Sequence, residues 1–365
     1  MSAPQETHQR PSRRGYLDWL RGLAVLVMIE AHVLDSWTRV DDRGSWQFAW
    51  VMIAGGMGAP LFLFLAGLSV ALSAGSKSRK TNDTPAASRA VMRRGAEIFG
   101  LAFLFRLQAW ILGWGNPRTL LMVDVLNIVG PSIVAAAALW GAVRSPRARY
   151  AAFAAATLAI PLLTPVVRMT PWLDGLPDPI EGYIRPIKGL STFCFFPWSG
   201  FVFAGAIVGM QLDGVRERAT EARLNARLFA AGCGVAVVAY AASYLPSPYE
   251  RSEFWGSSPA FFLLRAGLLT AVVGIAYAWR SGRTGWSPVE HVGRNSLFIY
   301  WIHVELAYGL ISLKLHKTLS HKTAWLALAA FGVFMLACSV ARDRVEAWWT
   351  ARRSARRCAP VTAVR

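Results

Sequence analysis

Ten apolar stretches, each long enough or nearly long enough to cross a bilayer, recur along this 365-residue chain. They fall at roughly 16–37, 48–74, 95–114, 120–143, 149–168, 190–211, 228–245, 260–279, 289–313 and 323–341. Inside hydrocarbon every backbone polar group must be satisfied within the protein, which makes helices the spanning element for runs of this length. The chain is therefore expected to be all-α, a polytopic integral membrane helical bundle of about 10 transmembrane helices. Only 16% of its residues are charged, against about 25% in a soluble domain, which agrees.

The net charge of +18 would suit a nucleic-acid binder if the basic residues shared one soluble face. They do not. Twenty-five Lys and Arg lie at the N-terminus, in every second loop and in the tail, and ten lie in the opposite loops. That alternation excludes nucleic acid as the expected partner and places both termini in the cytoplasm. The first apolar run is too long for a leader's core and lacks a small-residue cleavage site, so it reads as a retained span. The expected setting is the inner (cytoplasmic) membrane, crossed many times and in contact with lipids, with a homodimer left open. Residues 1–15 form a basic cytoplasmic segment, 16–341 a single membrane domain, and 342–365 a basic tail expected to be disordered. The outer segment "MTPWLDGLPDPIEGYIRPIKG" reads as a structured cap or substrate mouth. Cys194, Cys233, Cys338 and Cys358 are scattered without metal-ligand spacing, so no metal is expected.

The first span, "LDWLRGLAVLVMIEAHVLDSW", carries five ionisable residues. A charge deep in hydrocarbon costs roughly 2.5–3.5 kcal/mol on insertion scales, so such groups usually pair or face a cavity. On a helix, Asp18, Arg21 and Asp35 lie within about 60° of His32, while Glu30 points away. Asp18 and Arg21 sit one turn apart near the inner end, and His32 and Asp35 one turn apart near the outer end. The stripe reads as one wall of a lined cavity, with His32 as general base oriented by Asp35. Asp18–Arg21 reads equally as an anchoring ion pair or, through the guanidinium, as a phosphate site.

Other spans add Arg106, Asp124 with Asn127, Arg265, and the run "HVGRNSLFIYWIHVELAYG" with Ser296, Tyr300 and His303 on one face and Glu305 just beyond. By depth, His32, Asp35, Arg106, Asp124, Arg265, His303 and Glu305 are placed to meet in the outer half. Pairing of Asp124 with Arg106 or Arg265 is the purely structural alternative. The small residues of "GGMGAPLFLFLAGLSVALSAG" and "GFVFAGAIVGMQ" read as helix–helix contacts rather than as phosphate loops.

Taken in order, "LDWLRGLAVLVMIEAHVLDSW", "GAPLFLFLAGLSVALS", "RRGAEIFGLAFLFRLQAW", "VDVLNIVG", "FFPWSGFVFAGAIVG" and "GRNSLFIYWIHVELAYG" resemble the membrane acetyltransferases related to heparan-α-glucosaminide N-acetyltransferase, in particular their bacterial relatives. The resemblance runs over about residues 16–313. It implies transfer of an acetyl group from cytoplasmic acetyl-CoA to an amino sugar, or another small-molecule or glycan amine or hydroxyl, at the outer face. The chain is also similar to the broader O-acyltransferases in which an Arg precedes a His by eleven positions on the first helix, as Arg21 precedes His32. Animal members of the first family look to place their key His between spans one and two, where this chain reads "TRVDDRGSWQFAWVMIAGG". That segment has no His, so this assignment does not carry over.

Residues and resemblance together give one expected mechanism. Asp18 and Arg21 would serve the acetyl-CoA end, His32 with Asp35 and His303 the proton transfer, and Arg106 or Arg265 the developing oxyanion. Asp124, Asn127, Ser296 and Glu305 would line the polar cavity. A proton-coupled secondary transporter using the same buried charges is the alternative, and a scaffold with merely paired charges a further one.

Overall fold

The computed structural model describes residues 14–113, 116–283 and 285–358. Among them are thirteen α-helices: α1 (Gly15–Trp37), α2 (Trp46–Gly55), α3 (Gly58–Thr81), α4 (Thr84–Gly113), α5 (Val125–Ala142), α6 (Pro146–Met169), α7 (Asp178–Ile184), α8 (Phe195–Asp213), α9 (Arg218–Ala242), α10 (Pro259–Arg280), α11 (Pro288–Arg294), α12 (Ser296–Tyr308) and α13 (His321–Cys358). No strand occurs among the described residues. The protein is an all-α, multi-pass membrane protein.

Among the described residues, eight helical segments are long and apolar enough to cross a membrane, the first of them α2 and α3 taken together as Trp46–Thr81. Two expected spans stand outside that set. Helix α1 has the length but carries Asp18, Arg21, Glu30 and Asp35. The stretch 289–313 is divided at Asn295 into α11 and the 13-residue α12.

The chain divides into two compact units. The first comprises Met1–Leu20 and Gly56–Thr284, the second Arg21–Gly55 and Gly285–Arg365. In the first unit α3 packs on α8, α9 on α10, α4 on α5 and α6 on α8. The α3–α8 contact is backbone against backbone. A Cβ on Gly67 would overlap the Val202 carbonyl, and one on Gly205 would overlap the Phe64 carbonyl. Without a hydrophobic drive between helices in lipid, this close approach supplies the dispersion contact. The two glycine-bearing stretches read as helix contacts thus meet each other. At the ends of the same two helices, Arg79 grips both oxygens of Asp213.

The segment expected to form a cap is structured. Arg185 pairs with Glu181 and Asp174 and donates to the Thr170 carbonyl at 2.8 Å, tying α7 back to the end of α6.

In the second unit α13 continues to Cys358. The tail expected to be disordered is therefore helical over 342–358, while residues 359–365 lie outside the described set, as do the first thirteen of the basic N-terminal segment. The reason is local. Arg342 reaches Glu346 one turn on at 3.5 Å, and Arg352 lies over the Trp348 ring at 3.9 Å.

Candidate functional site

The second unit brings two histidines together. His32 Nδ1 lies 3.1 Å from His303 Nε2, and the rings are stacked 5.2 Å apart at 11°. His303 is fully buried, and its Nδ1 lies 2.8 Å from the Ile299 carbonyl oxygen. A carbonyl only accepts, so Nδ1 of His303 carries the proton. Neutral His303 then offers its Nε2 lone pair, which accepts the N–H from Nδ1 of His32. The lone pair of His32 is left on Nε2. A proton-accepting nitrogen on a half-buried ring is thereby assigned by the hydrogen-bond network.

This geometry is built by a seam between the end of α1 and the chain after α12. Helix α12 stops at Tyr308, which frees the Ala307 carbonyl from the helix ladder. Three donors converge on it: Ser36 Oγ at 2.7 Å, Trp37 Nε1 at 3.0 Å and Ser312 Oγ at 3.2 Å. Beyond it, Lys317 N donates to the Ser36 carbonyl, Leu319 N to the Trp37 carbonyl and Arg39 N to the Leu319 carbonyl. Asp42 then accepts from the His321 amide at 2.8 Å, capping α13. At the other end of α1, Gly22 lets the Val289 carbonyl come close.

Asp35 does not take the orienting role expected of it. Its carboxylate is held by Arg43 on one oxygen and by the Tyr308 hydroxyl, at 3.2 Å, on the other. The Tyr308 ring meets His32 edge-on, with centroids 5.4 Å apart. His303 supplies the hydrogen-bonded support, and Asp35 sits one residue further out, beyond Tyr308. Nothing in the sequence pointed to Tyr308 or to the Ile299 carbonyl. Arg43 stands across a loop from Asp35, where helical spacing gives no guidance.

The remaining expected residues sort as follows. In the first unit, Arg106 Nη2 pairs with Asp124 at 3.1 Å, and both side chains are mostly buried. Asp124 also accepts from the Val125 amide at 2.6 Å, while Asn127 Oδ1 accepts from the Asp124 amide. The Asp124 side chain also accepts from the Asn127 amide, and that bond with the one from the Asp124 amide closes a capping box at the start of α5. Asn127 Nδ2 donates to the Tyr183 hydroxyl at 3.0 Å. Arg106, Asp124 and Asn127 thus form a network at the start of α5 in the first unit. Arg265 belongs to the same unit and lies over the Phe261 ring at 4.0 Å. Asp18 is buried and Arg21 half-buried on α1. Ser296 opens α12 seven residues before His303, about 10 Å along the axis, and is not in the histidine cluster. Glu305 is half-buried two residues beyond His303.

No group of three or more His, Cys, Asp or Glu among the described residues is arranged to hold a metal ion. Cys194, Cys233 and Cys338 are free thiols.

The model of one protein family, described as heparan-α-glucosaminide N-acetyltransferase, catalytic, matches residues 13–242. The match includes Asp18, Arg21, His32, Asp35, Arg106, Asp124 and Asn127, and stops short of Arg265, Ser296, His303 and Glu305. No curated protein is similar enough to count as a match.

Proposed function

Since this chain belongs to the heparan-α-glucosaminide N-acetyltransferase family and is a membrane acyltransferase by that membership, we propose that His32 is its general base and acetyl-CoA its donor. The acceptor is an amino sugar or another amine or hydroxyl, and the setting is the inner membrane. The observation that carries the reading is the His32–His303 hydrogen bond, with its direction fixed at Ile299.

Acetyl-CoA would supply an acyl carbon activated as a thioester. Nε2 of His32 takes the proton from the acceptor N–H or O–H as that atom bonds to the acyl carbon. When the carbon–sulfur bond breaks, the same proton passes from Nε2 to the leaving thiolate, and His32 returns to its starting form. While His32 is charged, its Nδ1–H remains bonded to the lone pair of His303. Buried His303 therefore acts as a positioning residue that steadies the imidazolium without itself changing protonation. Arg21 lies about 16 Å before His32 along α1 and within about 20° of the same face. That separation suits an extended pantetheine arm with its phosphates toward Arg21, beside Asp18.

The test is transfer of radiolabelled acetyl from acetyl-CoA to glucosamine and simple amines by the purified full chain in detergent. A fall of roughly 10²–10⁴-fold is expected for His32→Ala. Transfer by His32→Ala at the wild-type rate overturns the reading.

A further inference from the structure

The first unit contains a second polar feature that the acyl-transfer reading does not use. A cavity of about 140 Å³ opens where the end of α6, the starts of α8 and α10, and the segments 186–194 and 255–258 converge. Its walls include Trp198, Phe201, Trp255 and Phe261, and two guanidiniums, Arg168 and Arg265, face into it. The Nε–H of each arginine is buried and has no hydrogen-bond partner. Neither arginine belongs to an ion pair among the described residues, unlike Arg106, Arg185 and Arg79 in the same unit. The ring of Phe261 beneath Arg265 attracts its charge but accepts none of its N–H bonds well.

Two half-buried cations, each with a buried and unmet Nε–H, are costly unless something completes them. Glu253 is an acid close to Arg168. Its Oε2 and Arg168 Nη1 stand 3.2 and 3.0 Å from the point where a Cβ on Gly256 would sit, so they flank that glycine without pairing. With Glu253 counted, the cavity keeps one uncompensated positive charge. Each arginine presents planar, forked donors of the kind that match an oxyanion. The volume is below the 300–1,000 Å³ typical of pockets for drug-sized ligands, so it suits a compact group.

We propose that this cavity binds a phosphate-type oxyanion, with Arg168 and Arg265 as its two forks and the aromatic walls taking the apolar atoms of its carrier. The oxyanion is either free phosphate or the headgroup of an anionic lipid. The site stands apart from the acyl-transfer reading, because its test measures binding and not turnover.

The experiment is thermal unfolding of the full chain in maltoside micelles, which contain no phosphate. Inorganic phosphate is added at constant ionic strength, or the micelles are doped with phosphatidylglycerol, for wild type, Arg168→Gln and Arg265→Gln. Wild type is expected to gain stability saturably with at least one probe, and either variant to need roughly 10-fold more or higher. Without probe, Arg265→Gln is expected to melt no lower than wild type, since it removes a half-buried charge with an unmet Nε–H. A shift with phosphatidylglycerol alone assigns a lipid headgroup, and one with inorganic phosphate a free anion. Equal responses in wild type and both variants, or none in any, overturn the proposal. If Arg265→Gln fails to fold, Arg265→Lys decides, because it keeps the charge and loses the fork. An unchanged phosphate response in Arg265→Lys overturns the proposal.

Discussion

His303 sets the tautomer of His32. The Ile299 carbonyl occupies one nitrogen of His303, and the other, 3.1 Å from Nδ1 of His32, can then only accept. The consequence is testable by removing the acceptor while keeping a ring. His303→Phe should lower kcat roughly 10²-fold with little change in the KM for donor, because the base remains but its working nitrogen is no longer selected. The nitrogen-15 shifts of His32 should report mixed tautomers in the variant and a single one in wild type. An unaltered tautomer signature would contradict the assignment.

Asp35, held between Arg43 and Tyr308, lies one turn beyond His32 on α1. In Arg43→Gln the carboxylate loses its cation and keeps the Tyr308 hydroxyl. Stability should change by less than about 1 kcal/mol, since the pair is partly exposed. Melting temperatures of wild type and variant would check this, and a loss of several kcal/mol would contradict it.

Asp124 has two duties, capping α5 and pairing with Arg106. Asp124→Ala should cost about 3–5 kcal/mol, because it strands a mostly buried guanidinium as well as the helix start. Asp124→Asn keeps the cap and should cost less. Melting temperatures in detergent would rank the two, and equal losses would remove the ion pair from the explanation.

Asp42 gives the clearest dependence of stability on pH. Its carboxyl is held below the usual carboxylate range, first by the hydrogen bond from Arg39 and then by the His321 amide. A depressed value means stability that is present above the ordinary carboxylate pKa of about 4 and is lost as pH falls through the folded value. The melting temperatures of wild type and Asp42→Ala should thus differ at pH 7 and converge in acid. A gap that persists to pH 2 would show that the cap does not act through charge.

Gly67→Val should disrupt the α3–α8 contact, since any side chain there meets the Val202 carbonyl and backbone cannot move aside as a flexible side chain can. Overpacking of this kind costs about 1–3 kcal/mol or more. Lower yield of folded protein and a reduced melting temperature are expected, while valine at Gly100, which has open space beside it, should be tolerated.

The membrane-embedded helices were legible because hydropathy reports them directly, and the glycine-lined faces of α3 and α8 were legible because close packing leaves small residues at helical intervals. His32 and His303 stood out as histidines on polar faces. What could not be read was the choice among partners. Asp124 had Arg106 and Arg265 as candidates by depth, and tertiary placement decided for Arg106. Asp35 took Arg43 from across a loop, so His32 took its support from His303, 271 residues away. The break between α11 and α12 was also hidden, because neither Gly nor Pro makes it. Asn295 does, buried and bonded to Ser339 at 3.0 Å and to Arg342.

The acceptor that fastens α1 beside α12 is the Ala307 carbonyl, and it belongs to the main chain. Exchanging the side chain at 307 leaves that oxygen in place, so the anchor is largely invisible to genetics at its own codon. Loosening must come through the donors Ser36, Trp37 and Ser312. A saturation library selected for lost activity should therefore accumulate hits at those three positions, while small residues at 307 pass unnoticed. In descendants of this sequence, drift in the seam would be recorded on the donor side alone.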